Sequence, residues 1–498
     1  MPAQLTTRQQ VNGYRFLLRR LDHALVRRDV RMLHDPMRSQ TRSLVVGAIL
    51  GLLVVAGAAI LAFLRPQGAI GDAKIVMGKD SGALYVVVAD KAGNTTLHPV
   101  LNLASARLIS GSSEGPKSVK DNKLGSMPRG PMLGIPGAPA ALPGSGQGKR
   151  SDWTLCEAVK LSATGRLTPG AGTTTTIASG RPALSERIRV AGPGEAVLVR
   201  HADKTYLIYE GKRAEVDAGN SVVARTLGLA THPPRPAGTA LLDAATAVPP
   251  LTPPAIAQAG SPGPGRLSNV PVGGVISVDG LGQPDLYVVL ADGVQRIAPF
   301  TAQLIRNADS QGMSEIKSVP PDALDGVRVV EHLQVEHFPT QIPKIISGED
   351  APVACVTWGK NVGAPAKKET LADDPADRAV VSLLVGSRLP IPESAKPVEL
   401  ATATGDGNHV DNVYVRPSTG EFVQTTGMDP SSVRRDGLFY IGDNGIRYGI
   451  PDVATAQILG LKEAPRLAPW AIVGQLVPGP TLSPDAALVS YDTLPQTR

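Results

Sequence analysis

The sequence predicts a single-pass membrane protein with an α+β extracytoplasmic domain, in which four small ββα-like repeats surround a separate central region. Three observations carry this. Leu44 to Leu64 is an apolar run of 21 residues without a charge. The excess positive charge of the chain lies entirely before that run. Beyond it, a tyrosine-bearing strand pattern followed by an amphipathic helix pattern occurs four times.

At a rise of ~1.5 Å per residue the apolar run makes a helix of about 30 Å, the thickness of the hydrocarbon core of a bilayer. Nine arginines (Arg8, Arg15, Arg19, Arg20, Arg27, Arg28, Arg31, Arg38 and Arg42) precede it, against Asp22, Asp29 and Asp35. Residues 1–43 therefore carry +6, the formal charge of the whole chain, and 41 basic residues balance 41 acidic ones beyond them. Positive flanks stay in the cytoplasm, so residues 1–43 are expected inside, 44–64 in the membrane and 65–498 outside. A cleaved signal peptide would place its small-x-small pair, Ala56 and Ala58, inside the apolar run, behind a basic arm far too long for such a peptide. A buried core helix is the less favoured reading, because the segment is apolar on every side over a length that matches the bilayer. The alkaline pI of about 9.2 is then no nucleic-acid footprint, because the excess charge sits where it attracts anionic lipid headgroups.

The cytoplasmic arm reads as one helix. Thr7 and Gln10 have capping-box spacing, and Val11, Tyr14, Leu18, Leu21 and Leu25 recur on one face. Arg15, Arg19 and Arg27 lie on the opposite side. Such a helix docks into a partner, lies on the inner membrane surface, or is simply solvated. Pro36 is expected to end it.

About 430 residues lie beyond the span, with 53 glycines and 44 prolines in the chain and only 4% aromatics. That composition points to short strands and many turns. The four repeats are Leu84–Ile109 (Tyr85), Thr205–Leu229 (Tyr206), Leu286–Asn307 (Tyr287) and Phe439–Leu461 (Tyr440). Asp-Gly at 292–293 and Asn-Gly at 444–445 are hairpin signals between their strands. The repeats start about 120, 80 and 150 residues apart, too irregularly for a solenoid or propeller. Residues 231–271 hold ten prolines and are expected to form an extended surface connector. Gly359–Asp377 is a second expected loop. Cys156 and Cys355 fall outside the repeats, in WTLCEAV and ACVTW. In an oxidising compartment such a pair favours a disulfide, with two independent buried thiols as the alternative. A loop of about 200 residues closed by it would stabilise the fold by at most ~5 kcal/mol.

Reactive motifs fail on their context. Gly144-Ser-Gly-Gln-Gly-Lys149-Arg150 resembles a phosphate loop, but Pro143 and Arg150 stand where Gly and Ser or Thr are required. Gly111-Ser-Ser-Glu-Gly115 has nucleophile-elbow spacing, yet Pro116 follows instead of a helix. His332 and His337 are five apart in a β-like stretch, which sends them to opposite faces. Asp406-Gly-Asn-His-Val-Asp411 lacks the distal glutamate of a calcium loop and reads as a polar turn. No catalytic residue, cofactor or metal site is expected.

TTRQQVNGYRFLLRRLDHAL, LRPQG after the span, DSGALYVVV, HPVLNLASARLI, MPRGPMLGIPGAP and WTLC together resemble the EccB family. So do YVVLADGVQRI, CVTW, GIRYGIPD, APW and LSPDAALVSYDTLP. These proteins are membrane components of the mycobacterial type VII (ESX) secretion systems. The resemblance covers nearly the full length. It implies a periplasmic domain of four repeats around a central β-rich region, with Cys156 and Cys355 joined in a disulfide. It implies as partners the EccC motor ATPase, EccD, EccE, further EccB copies and the mycosin protease, in a hexameric inner-membrane assembly contacting lipid. The family sometimes carries an ATPase label, which no motif here supports. The expected role is a structural subunit of the secretion complex; a periplasmic hydrolase or an envelope-binding anchor are the competing readings.

Overall fold

A computed structural model describes residues 6–31, 36–64, 70–89, 92–168, 170–279, 284–361 and 378–491. The chain forms two compact units, one of residues 1–71 with 118–125 and the other of residues 72–117 with 126–498.

In the first unit a helix runs Arg8–Arg27. Its first turn is closed by Gln10, whose Oε1 accepts the Thr7 N–H at 3.0 Å, and Arg28 ends it in the left-handed region at φ 54°. A second helix runs Pro36–Leu64. Pro36 thus opens the second helix and does not end the first. A proline fits the first helical turn because the N–H it lacks would have no partner there. Within this helix Thr41–Leu61 has a mean hydropathy of 2.8 and none of its most apolar window is buried. It is the one helix among the described residues that is long and apolar enough to cross a membrane.

The second unit is mixed α/β. Its centre is a seven-stranded sheet in the order Val398–Glu399, Asn412–Tyr414, Thr173–Ser179, Arg150–Val159, Val353–Asn361, Val380–Gly386, Ile188–Val190. Strands alternate their side chains between faces, so the antiparallel central pair sorts its residues cleanly. Trp153 faces Trp358 and Leu155 faces Val356, and all four join the largest apolar core. On the other face Cys156 lies opposite Cys355, beside Ile188, Val353 and Leu384.

The unit also holds four modules, each an antiparallel meander of three strands followed by a helix. The first is Ile75–Gly78, Leu84–Ala89, Thr95–Pro99 and helix Leu103–Ser110; the second is Glu195–His201, Lys204–Tyr209, Lys212–Val216 and helix Ser221–Leu227. The third is Val275–Val278, Asp285–Leu290, Gly293–Ile297 and helix Pro299–Ala308; the fourth is Gly420–Thr426, Leu438–Gly442, Ile446–Ile450 and helix Val453–Ile458. The ββα description is therefore too small: the tyrosine strand is the middle strand of a meander, because one more strand precedes it. Local chemistry fixes the helix starts. The side chains of Asn102, Asn220 and Asp452 accept backbone N–H bonds at three of them, and Pro299 opens the fourth.

After its helix, module three returns with Lys317–Val319 parallel to its first strand, and modules two and four make the same return. Arg235–Pro236 lies parallel to the first strand of module two, helix Thr239–Ala244 follows, and Thr246–Val248 lies parallel to the third strand. Arg466–Pro469, helix Trp470–Val473 and Val477–Pro478 do the same in module four. The modules also pair through shared cores: Ala104 and Leu108 of the first module pack with Tyr440, Tyr448 and Ile450 of the fourth. Phe300 and Leu304 of the third pack with Leu198, Leu207 and Leu227 of the second.

The expected surface connector at 231–271 is corrected by these elements. Arg235, Ala240, Leu241, Leu242, Ala244 and Leu251 are buried. The prolines flank the Ala- and Leu-rich segment 237–248 and leave its interior free to form a helix and a strand. Most of the loop expected at Gly359–Asp377 lies outside the described residues; Gly359–Asn361 still belong to a central strand.

Candidate functional site

Cys156 and Cys355, 199 residues apart in sequence, form a disulfide across the central strand pair. Its surroundings explain why the strands meet in this register. WTLC read forwards faces CVTW read backwards, so like stands opposite like, and Thr154 Oγ1 donates to Thr357 Oγ1 at 3.0 Å.

One residue after this motif, Glu157 is fully buried. Its carboxylate accepts the backbone N–H groups of Gly238 (3.0 Å) and Leu241 (3.1 Å), capping helix Thr239–Ala244 from a different strand. Burial pushes its pKa up to about 7, against the opposing pull of those N–H groups and of Arg235. The buried Arg235 donates to the carbonyls of Ala351 at 2.8 Å, of Pro352 and of Glu157, and burial lowers it to about 10. Both charges are spent on holding backbone segments together, and neither is open to a substrate.

The phosphate-loop lookalike is spent in the same way. Ser145 Oγ and the Gly146 N–H both donate to the carboxylate of Glu421, itself almost fully buried and shifted upward by that burial. A strand, Arg150–Val159, follows the loop, where phosphate binding requires a helix N-terminus. A cleft of about 240 Å³ beside it is lined by Pro143, Gly144, Ser145, Phe422, Lys462 and Arg466 among others.

Gly111 (φ 63°) ends a helix, and Ser112 beyond it accepts the N–H of Glu114 in a turn. His332 meets Asp292 at 3.0 Å, whereas His337 packs edge-on against Phe338; their segment is irregular and not strand-like. Asp411 accepts the N–H groups of Thr175, Thr404 and Gly405 and so ties its turn to the central sheet. Among the described residues there is no group of three or more His, Cys, Asp or Glu able to hold a metal.

On the N-terminal helix Val11, Tyr14, Leu18, Leu21 and Leu25 are all exposed, as are Arg19 and Arg27. Phe16, Leu17 and Val26 are exposed too, so the apolar surface is broader than one stripe.

A family model described as "Type VII secretion system ESX-1, transport TM domain B" matches residues 3–496. The chain belongs to the EccB family. It is 36% identical to the "ESX-5 secretion system ATPase EccB5" of Mycobacterium tuberculosis, over 99% of this chain and 94% of that protein. With the "ESX-3 secretion system ATPase EccB3" of Mycolicibacterium smegmatis the identity is 36%, over 98% and 91%. Among solved structures, a chain of an intact ESX-5 inner membrane complex matches at a TM-score of 0.70 and 33% identity, covering 100% of this chain and 98% of that one. A chain of the EccB3 dimer from the ESX-3 core complex matches at 0.69 and 33%, covering 84% and 100%.

The residues that sequence reading missed, Glu157, Arg235 and Glu421, are charged groups inside apolar surroundings. A signal existed in two places. WTLC and CVTW mirror each other, and PRPAGTALLDAATAVPP (234–250) matches PRLAPWAIVGQLVPGP (465–480) in its spacing of prolines, arginine and apolar residues.

Proposed function

We propose that this chain is a structural subunit of a type VII (ESX) secretion inner-membrane complex, anchored by Thr41–Leu61 with its second unit in the periplasm. The observation that carries this is the full-length likeness to a chain of an intact ESX-5 inner membrane complex. The charge asymmetry around the span supports a cytoplasmic N-terminus. There the exposed helix Arg8–Arg27 serves as the docking element for neighbouring subunits, with Val11, Tyr14, Leu18, Leu21 and Leu25 as its apolar contacts and Arg19 and Arg27 as its charges. The proposed partners are EccC, EccD, EccE, further copies of the chain in a hexameric arrangement, and the mycosin protease. The four modules are read as repeats whose outer faces make homotypic contacts.

Nucleotide hydrolysis is the second reading, since the curated relatives bear ATPase in their names. Against it, the glycine-rich loop of this chain is engaged by Glu421 and leads into a strand. Isolation of the chain in mild detergent should recover EccC, EccD and EccE with it. Saturable ATP turnover by the purified chain, abolished by one point substitution, would overturn the scaffold reading.

A further inference from the structure

Modules two and four superpose in register as well as in topology. Arg213 stands opposite Ile208, and its strand neighbour on the other side is Ala247. Arg447 stands opposite Ile441 and beside Pro478 in the same way. Each arginine also lies over an aromatic ring of the middle strand, Arg213 over Tyr206 at 5.9 Å and Arg447 over Phe439 at 4.7 Å.

The similarity stops at the counter-charge. From Arg235 to Ala247 and from Arg466 to Pro478 the two segments have equal length, which puts Asp243 and Gly474 at equivalent positions. Asp243 lies 3.8 Å from Arg213. Gly474 offers Arg447 only its carbonyl oxygen, at 3.4 Å; the buried Nε lacks a partner in both arginines. No ion pair joins Arg447 to a carboxylate among the described residues. Meanwhile Trp470, equivalent to Thr239, packs beside Phe439 with ring centroids 5.7 Å apart, lies 4.7 Å from the same guanidinium and keeps 46% of its surface exposed. A half-buried guanidinium against two adjoining rings, one of them a tryptophan open to solvent, is the composition of an interface hot spot.

We propose that the Arg447–Trp470 face of module four is a self-association surface, on which a second copy of this chain supplies the carboxylate that Asp243 supplies within module two. The occupant is a second copy because a relative with this fold has been solved as a dimer, and because the region beyond the span has acidic residues equal in number to its basic ones. This rests on the homotypic contacts proposed above and adds their location and chemistry.

The test is the dissociation constant of the full chain in mild detergent, by sedimentation equilibrium, with melting temperature followed in parallel. Arg447→Gln should weaken association roughly tenfold or more, the scale of a hot-spot truncation, and Arg447→Glu should weaken it further. Trp470→Thr, which copies module two, should also weaken it and serves if the arginine variants melt early. Arg213→Glu should leave association unchanged. A wild-type dimer unmoved by Arg447→Glu and Trp470→Thr, or weakened equally by Arg213→Glu, overturns this proposal alone. A monomeric wild type overturns it together with the homotypic reading.

Discussion

Modules two and four share strand order and register, yet they spend their charged residues differently. In module two the parallel strand begins with Arg235, which grips three backbone carbonyls and lies beside the buried Glu157. In module four the equivalent Arg466 donates to one carbonyl, that of Arg150, at 2.9 Å. Three residues on, Gly238 gives its N–H to Glu157, whereas the equivalent Pro469 has none to give. On the first strand the exchange reverses: the buried Val197 of module two corresponds to Glu421 of module four, which holds the loop at Ser145 and Gly146. One architecture thus tolerates different internal polar linkages, provided each buried charge finds backbone partners.

The largest expected effect is one that should not distinguish the modules. Replacing Cys156 and Cys355 together by Ala opens a closure of 199 residues between the strands that both modules pack against. Denaturant unfolding should show a loss of up to ~5 kcal/mol. Loss of one module's protection from hydrogen exchange before the other's would break the picture of a common centre. Next comes a direct contrast. Arg235→Met strips Glu157 of its nearby cation and leaves three carbonyls short of a donor, at about 3–5 kcal/mol. Arg466→Met removes one such bond, the cation near the buried Glu421 and an exposed pairing with Glu463, a smaller loss of about 1–3 kcal/mol because only one carbonyl is left without its donor. Equal losses would mean the two arginines are equivalent after all.

Local patterns carried the sequence reading as far as they reach. The span at Leu44–Leu64 needs only its own residues, and the tyrosine strand with its following turn and helix is likewise a contiguous signal. The turn at 292–293 illustrates the limit: the hairpin forms, but Gly293 is already the first residue of the next strand. The strand before each tyrosine strand was missed because short runs such as IVMG and VISV lack alternation and length. At 231–271 the number of prolines suggests a connector, but their placement decides the structure: none falls between Ala237 and Val248. Glu157 gave no local sign at all, since the N–H groups that stabilise it come from residues more than 80 positions away.

That carboxyl gives the pH prediction. Its pKa in the fold, about 7, lies above the ordinary value of 4.5, so folding favours its protonated form. The stabilisation from proton uptake is complete below about pH 4.5 and is lost as pH rises to 7, a total of roughly 3 kcal/mol. Glu157→Gln keeps an oxygen to accept from Gly238 and Leu241 and cannot ionise. Unfolding midpoints at pH 5 and pH 8 should converge in this variant and differ in the wild type. An unchanged difference would assign the pH dependence to other groups, with Glu421, also shifted upward by burial, the first to replace.

The smallest expected effect sets the modules side by side at their tips. Gly211 and Gly445 occupy equivalent hairpin turns, at φ 76° and 79°, and each presses on a valine of the central sheet. A methyl group on Gly211 would come within 2.4 Å of Val381, and one on Gly445 within 2.8 Å of Val413. Left-handed backbone costs an alanine about 1–2 kcal/mol, and the valines must also shift. Gly211→Ala and Gly445→Ala should therefore each destabilise by roughly 2 kcal/mol, visible as lowered unfolding midpoints. Here the modules should behave alike, because backbone geometry, not charge, sets the contact. A large loss at one glycine and none at the other would show that only one of the two modules is seated firmly on the sheet.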